Sequence, residues 1–224
     1  MSTRILALDT TGEIGSLALI EDGAPVFEVQ LQSPEGFAHL IHDLIRQQLE
    51  LRQLRLEQVD CYAAAAGPGA FTGVRVGLAA AQGLAEAFGK PVVAVSNLQA
   101  LAAFGSLARR AVFFDARRGE IYGALYDENL GLVMPEVVTR FPAWLEALPE
   151  GELEFLSTHL APFRDALASS RFAPAPARET PRALAGAIGR IAAARFAAGQ
   201  ALDPAQVDAN YVRRSDAEMF WKDV

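Results

Sequence analysis

Asp9 and Asp115 are the two carboxylates best placed for chemistry in this chain of 224 residues. Each closes an apolar stretch, Ile5–Leu8 and Ala111–Phe114, and each is followed by a small or polar turn: Thr10-Thr11-Gly12 after the first, Ala116-Arg117-Arg118-Gly119 after the second. An aspartate at a strand end before such a turn can handle magnesium and phosphate, or it can simply form the turn. The second chemical feature is Gly67-Pro68-Gly69-Ala70-Phe71-Thr72-Gly73-Val74-Arg75-Val76-Gly77. Its glycines permit positive φ and close backbone approach between a strand end and a helix start, where exposed N–H groups can hold an anion. It is not a phosphate-binding Walker loop, because no Gly-Lys-Ser/Thr follows and the only lysines are Lys90 and Lys222. Nor does it open the first βαβ unit, as the dinucleotide fingerprint does. A tight turn with small residues for packing explains the same residues.

Other chemistries find little support. His39 and His42 have the i, i+3 spacing of helical metal ligands, but only Asp43 stands near and no third ligand follows. His159 is isolated, and there is no Gly-x-Ser-x-Gly elbow or Ser/His/Asp grouping. Cys61 sits in an apolar strand and reads as an inert core thiol. No metal site and no catalytic set are expected.

The elements that must position these residues read as follows. Strands at Ile5–Asp9, Ser16–Ile20 and Pro25–Leu31 open the chain as antiparallel neighbours, with Glu21-Asp22-Gly23 as the second turn. A helix over Phe37–Leu51, a strand over Val59–Ala66, a helix over Gly73–Gly89, a strand over Pro91–Val95 and a short helix near Leu98–Leu107 follow. The opening pattern then recurs, with Asp115 standing 106 residues after Asp9: strands at Ala111–Asp115, Ile121–Tyr126 and Val133–Thr139. The remainder is slighter: a helix at Pro142–Leu148, a strand at Leu153–Leu156, a helix at Ala161–Ala168, a Pro/Ala-rich loop over Arg171–Arg178 and an Ala-rich helix over Pro181–Gly199. The expected architecture is α/β with mixed sheets, divided into a lobe 1–108, a smaller lobe 109–200 and a tail 201–224 that packs back on the body with Phe220 and Trp221.

The helix over Gly73–Gly89 has one side almost without side chains, at Gly73, Gly77, Ala80, Ala81 and Gly83. Glycine in an exposed helix costs roughly 1 kcal/mol relative to alanine, so a close contact must compensate. Either an internal neighbour or a partner's helix could supply it.

Composition narrows the function classes. Half the chain (51%) is hydrophobic, which excludes a mainly disordered protein, and one cysteine excludes a disulfide framework. The net charge is −7, with 11 acidic and 6 basic residues in 1–100 and 16 against 14 in the rest. That balance disfavours independent binding to nucleic acid, although Arg109, Arg110, Arg117 and Arg118 are candidates for a basic patch. No targeting segment or membrane span is visible, so a cytoplasmic location is expected.

Ile5-Leu6-Ala7-Leu8-Asp9-Thr10-Thr11, the glycine segment 67–77, Asp115-Ala116-Arg117-Arg118-Gly119-Glu120-Ile121-Tyr122 and Tyr211-Val212-Arg213 together resemble the TsaB (YeaZ) family. The resemblance implies an actin-like, Hsp70-like (ASKHA) fold of two lobes with duplicated βββαβα units, the second reduced. It implies a non-catalytic accessory subunit that pairs with a TsaD-type catalytic paralog and, with a TsaE-type ATPase, supports threonylcarbamoyl transfer. The acceptor is N6 of the adenosine 3′ of the anticodon, in tRNAs that read codons beginning with A. ATP and a metal belong to the partner subunits, and tRNA is met through the complex. The family's pairing surface is a helix bundle, which carries over onto 37–49 and 73–88 through Leu40, Leu44, Val74, Gly77, Leu78 and Ala81. The same surface makes a homodimer when the partner is absent. On this reading Gly77→Leu abolishes pairing without unfolding the chain. Asp9, Thr10, Thr11, Gly67, Gly69 and Asp115 are then a possible nucleotide-site remnant. The alternatives are an independent actin-like ATPase or phosphotransferase using Asp9 and Asp115 and, more remotely, a metallopeptidase. The family's pattern has Ser-Glu after the residue matching His39, whereas Leu40-Ile41 stand here.

Overall fold

A computed structural model describes residues 2–213, which divide into two units. Residues 2–100 and 182–210 form the first, and 101–181 with 211–213 the second.

The first unit is built on β1 (Arg4–Asp9), β2 (Ile14–Glu21), β3 (Ala24–Gln32), α1 (Ile41–Glu50), β4 (Cys61–Ala65), α2 (Phe71–Phe88) and β5 (Val92–Val95). Its sheet has the order β3-β2-β1-β4-β5, antiparallel through β2 and parallel from β1 to β5. β1 and β4 lie inside the sheet with both faces covered, which is why they are continuous apolar runs rather than alternating ones. Asp22 (φ 50°) and Gly23 (φ 81°) make the tight turn between β2 and β3, the sequence type that such hairpins favour. Leu6, Leu8, Leu17, Leu19, Tyr62 and Ala64 pack with Ile41 and Ile45 of α1 and Val74, Leu78 and Ala81 of α2 in one buried cluster. α2 ends at Gly89, whose φ of 61° stops the helix.

α3 (Asn97–Ala102) begins in the first unit and ends in the second. β6 (Arg109–Arg117), β7 (Glu120–Asp127), β8 (Leu132–Thr139), α4 (Phe141–Ala147), β9 (Glu154–Ser157), α5 (Arg164–Ala168) and β10 (Ala177–Glu179) follow. The sheet order β8-β7-β6-β9-β10 repeats that of the first unit strand for strand, with the same antiparallel and parallel pairings. The duplicated arrangement is therefore complete, and the fold is α/β and actin-like. Phe113, Phe141, Trp144, Phe155 and Phe172 form an aromatic core under α4 and α5.

Three expectations need revision. β10 lies in the stretch expected to be a loop. Its three side chains are all exposed and it pairs with β9 alone, so no apolar pattern announces it. α3 ends at Ala102, and a Cβ on Gly105 would come within 2.3 Å of the Arg110 side chain that packs there. Most consequential is α6 (Ala185–Ala197), expected in the second lobe. It packs instead in the first unit, on the face of the sheet away from α1 and α2, so the division at 108/109 and 200/201 does not hold. A Cβ on Gly189 would lie 2.5 Å from Ile20 Cγ1 and 3.2 Å from Ala7 Cβ, so the helix needs glycine there to approach. Ser16 Oγ, in β2, accepts the N–H groups of Leu184 and Ala185 at 3.1 and 2.9 Å.

After α6 the chain stays on the first unit as far as Asn210. Leu202 bridges Val92, Val207 enters the core, and Asn210 N–H donates to Ala66 O at 2.7 Å. Phe220 and Trp221 lie outside the described residues. Among the described residues no helix is long and apolar enough to cross a membrane.

Candidate functional site

β1 ends at Asp9, and the next two residues are seated in the glycine segment. Ala70 N–H donates to Thr11 O at 2.8 Å, and Thr10 Oγ1 donates to Gly73 O at 2.6 Å. A Cβ on Gly69 would stand 2.7 Å from Thr11 Cβ, one on Gly73 2.0 Å from Thr10 O, and one on Gly77 2.7 Å from Thr10 Oγ1. The glycine-lined side of α2 is thus filled by the unit's own β1–β2 turn. Of the two possible contacts left open above, the internal one is present.

The turn is held by a buried polar network. Asp9 Oδ1 accepts Thr11 N–H at 2.9 Å and Thr11 Oγ1–H at 2.7 Å. Asn97 Nδ2 donates to Thr11 Oγ1 at 2.7 Å, while Asn97 Oδ1 accepts Gly67 N–H at 3.0 Å. The loop closes where Asn97 N–H meets Gly67 O at 2.9 Å. Gly67 has φ +99°, and a Cβ there would stand 2.9 Å from Asn210 O. Burial pushes the Asp9 carboxyl above its ordinary value, against the hydrogen bonds from Thr11 that favour its charged form. Asp9, Thr10, Thr11, Gly67 and Gly69 are therefore brought together as the sequence suggested, but what fills the space between them is protein.

Asp115 belongs to the other unit and is exposed. Its Oδ1 accepts Arg117 N–H at 2.7 Å, fixing a hairpin tip where Arg117 (φ 64°), Arg118 (φ 58°) and Gly119 (φ 75°) are all left-handed. Two of the four candidate basic-patch arginines hold main-chain carbonyls: Arg109 those of Glu150 and Glu152, Arg110 those of Ala102 and Leu107. Among the described residues no three His, Cys, Asp or Glu side chains group to hold a metal ion, and His39 and His42 are exposed. Burial, with the neighbouring Asp60 charge, pushes the Cys61 thiol up to about 12.

The six expected pairing residues divide. Leu40 and Leu44 are half-buried, while Val74, Gly77, Leu78 and Ala81 are buried within the unit. Those four belong to the helix stripe that faces the sheet, so they cannot present themselves to a partner while the unit is folded. Thr72, Ala79 and Gly83 are exposed on the opposite side of α2, with Val76 half-buried between them against the edge of the core, and a Cβ on Gly83 meets nothing within 4 Å. Beside them Phe71 is 41% exposed, with the Arg75 guanidinium 3.8 Å above its ring. The signal that locates this outer face was available: the more apolar stripe of an amphipathic helix is the one that faces the core.

Residues 33–164 match the family described as TsaD, tRNA N6-adenosine threonylcarbamoyltransferase. The tRNA threonylcarbamoyladenosine biosynthesis protein TsaB of Bacillus subtilis is 30% identical over 189 residues, covering 80% of this chain and 82% of that protein. The protein of the same name from Escherichia coli is 37% identical over 132 residues, 56% of this chain and 57% of that one. The solved structure of YeaZ from Pseudomonas aeruginosa superposes with a TM-score of 0.75 at 28% identity, over 93% of this chain and 99% of that one.

Proposed function

The chain belongs to the TsaB (YeaZ) family, and from that premise we propose that it serves the biosynthesis of threonylcarbamoyladenosine in tRNA as a non-catalytic, cytoplasmic accessory subunit. In this role it pairs with a TsaD-type catalytic paralog, works with a TsaE-type ATPase, and meets tRNA through the assembled complex. The observation that carries the reading is the state of the glycine segment. Thr10 and Thr11 of the same chain occupy the cradle at Gly69, Gly73 and Gly77, so the residues most suggestive of phosphate binding are engaged in packing. What remains outward on that side of the sheet is a helix surface. Thr72, Val76, Ala79 and Gly83 of α2 allow close approach of another helix, and Leu40 and Leu44 extend the surface toward α1. The pairing surface proposed here is thus the outer face of the helices that the resemblance indicates, with Leu40 and Leu44 retained and Val74, Gly77, Leu78 and Ala81 replaced by their outward neighbours.

Co-purification with the TsaD-type partner tests it. Ala79→Glu, at an exposed position, is expected to abolish capture while leaving the circular dichroism spectrum and melting temperature near those of wild type. Gly77→Leu is expected to lose capture through misfolding, because its side chain would enter the space of Thr10. Wild-type capture by folded Ala79→Glu would refute this surface.

A further inference from the structure

The two sheets leave four outer edges, and three of them are bridged, short or irregular. β5 is bridged by Leu202, whose N–H and C=O exchange hydrogen bonds with Val92 at 2.9 and 2.8 Å. β10 is only three residues long. β8 contains Pro135 and loses regular register twice. β3 differs from all of these. It is the longest of the four at nine residues, with Pro25 near its start, one register irregularity against β2 at Leu19/Ile20, before the stretch from Phe27 to Leu31, and no lysine. Among the described residues its backbone hydrogen bonds run to β2 alone. A long open edge is a template for another strand, and proteins normally blunt it with charge, proline, bulges or a cover.

We propose that β3 pairs antiparallel with β3 of a second copy of this chain, about a two-fold axis through Val29, joining the two first-unit sheets into one. The strand's own sequence selects this occupant and this register. An axis normal to the sheet keeps each face on its own side, so only residues an even number apart can lie opposite one another. Centred on Val29, the pairing sets Phe27 against Leu31 twice and Glu28 against Gln30 twice. Apolar meets apolar on the α1 side, and carboxylate meets amide on the α6 side. Centred on Glu28, two carboxylates would oppose each other; centred on Gln30, Phe27 would face Ser33 and Val26 would face Pro34. Cross-strand partners of matched chemistry stabilise an antiparallel pair, and like charges directly opposite weaken it. The strand is also held ready. Glu28 Oε1 accepts Gly186 N–H at 2.8 Å at the start of α6, and the Arg52 guanidinium lies 4.2 Å over the Phe27 ring. Pairing through one strand buries a small area, so the dimer is weak and reversible.

Sedimentation equilibrium over a concentration series tests the proposal, run on an Ala79→Glu background so that the α2 face does not contribute. Gln30 is exposed and accepts substitution without entering the core. Gln30→Glu places two carboxylate pairs across the axis and is expected to weaken the dimer about fivefold, whereas Gln30→Lys places two opposite-charge pairs there and tightens it by about the same factor. Circular dichroism verifies that both variants are folded. A chain that stays monomeric throughout, a dimer that ignores both substitutions, or one weakened by both would each overturn it.

Discussion

Asp9 is a carboxylate whose setting opposes its charge. It is 2% exposed, and its hydrogen-bond donors are supplied by Thr11, which Asn97 in turn orients. Burial outweighs those donors and raises its pKa from the ordinary 3.8. The sign for stability follows from linkage: as pH rises above that value the folded chain keeps a proton at Asp9 that the unfolded chain has already lost. The contribution of this side chain to stability is therefore largest at low pH and falls as pH rises through the window above 3.8. The difference in unfolding free energy between wild type and Asp9→Asn should accordingly decline with rising pH, as urea unfolding at a series of pH values will measure. A difference that grows with pH would mean that the hydrogen bonds, not burial, dominate. That Asp9 ends a strand before a turn was legible in the sequence. That its partners are Thr11 and Asn97 was not, because Asn97 arrives from 88 residues further along the chain.

At the scale of the element, α2 shows that one residue type can do opposite things ten positions apart. Gly73 lies against the Thr10 carbonyl, and Gly83 faces open space. Gly73→Ala drives a methyl into backbone and should destabilise the chain by about 2–3 kcal/mol. Gly83→Ala removes backbone freedom from the unfolded chain and meets nothing, so it should stabilise by about 0.5–1 kcal/mol. Thermal unfolding of the two variants should shift the melting temperature in opposite directions; a shift in the same direction would mean that α2 does not face the sheet as described. The glycines and alanines of α2 were visible in the sequence as a small-residue helix. Which of them touched the sheet was harder to read, because small residues mark a close approach without saying from which side it comes. Val74, Leu78, Ala81 and Ala85, taken as one stripe, resolve the ambiguity, since all four are buried.

For the whole molecule, the decisive piece is the late helix. α6 returns to the first unit more than 160 residues after β2, contributes Gly189 against Ile20 and Ala7, and places its first N–H groups on Ser16. It covers the face of the first sheet opposite α1 and α2. A fragment 1–108 should therefore bind a hydrophobic dye and aggregate, whereas adding residues 182–210 through a flexible linker should restore a soluble, cooperatively unfolding protein. A soluble and cooperative 1–108 would show that α6 is dispensable to the unit.

The sequence by itself determined every strand but β10, together with the hairpin turns, since alternation, turn chemistry and apolar runs are local properties; the repeat came from comparing two such stretches 106 residues apart. It also carried the family resemblance, because the glycine segment and the aspartate-bearing turns are contiguous. Only the tertiary structure decided which unit owns α6, that Thr10 and Thr11 fill the glycine cradle, and that among the described residues β3 pairs with β2 alone. Each of these depends on a contact between segments far apart in the chain. Such contacts are set by which apolar face is left to cover and by how closely two backbones can approach, neither of which a local pattern contains.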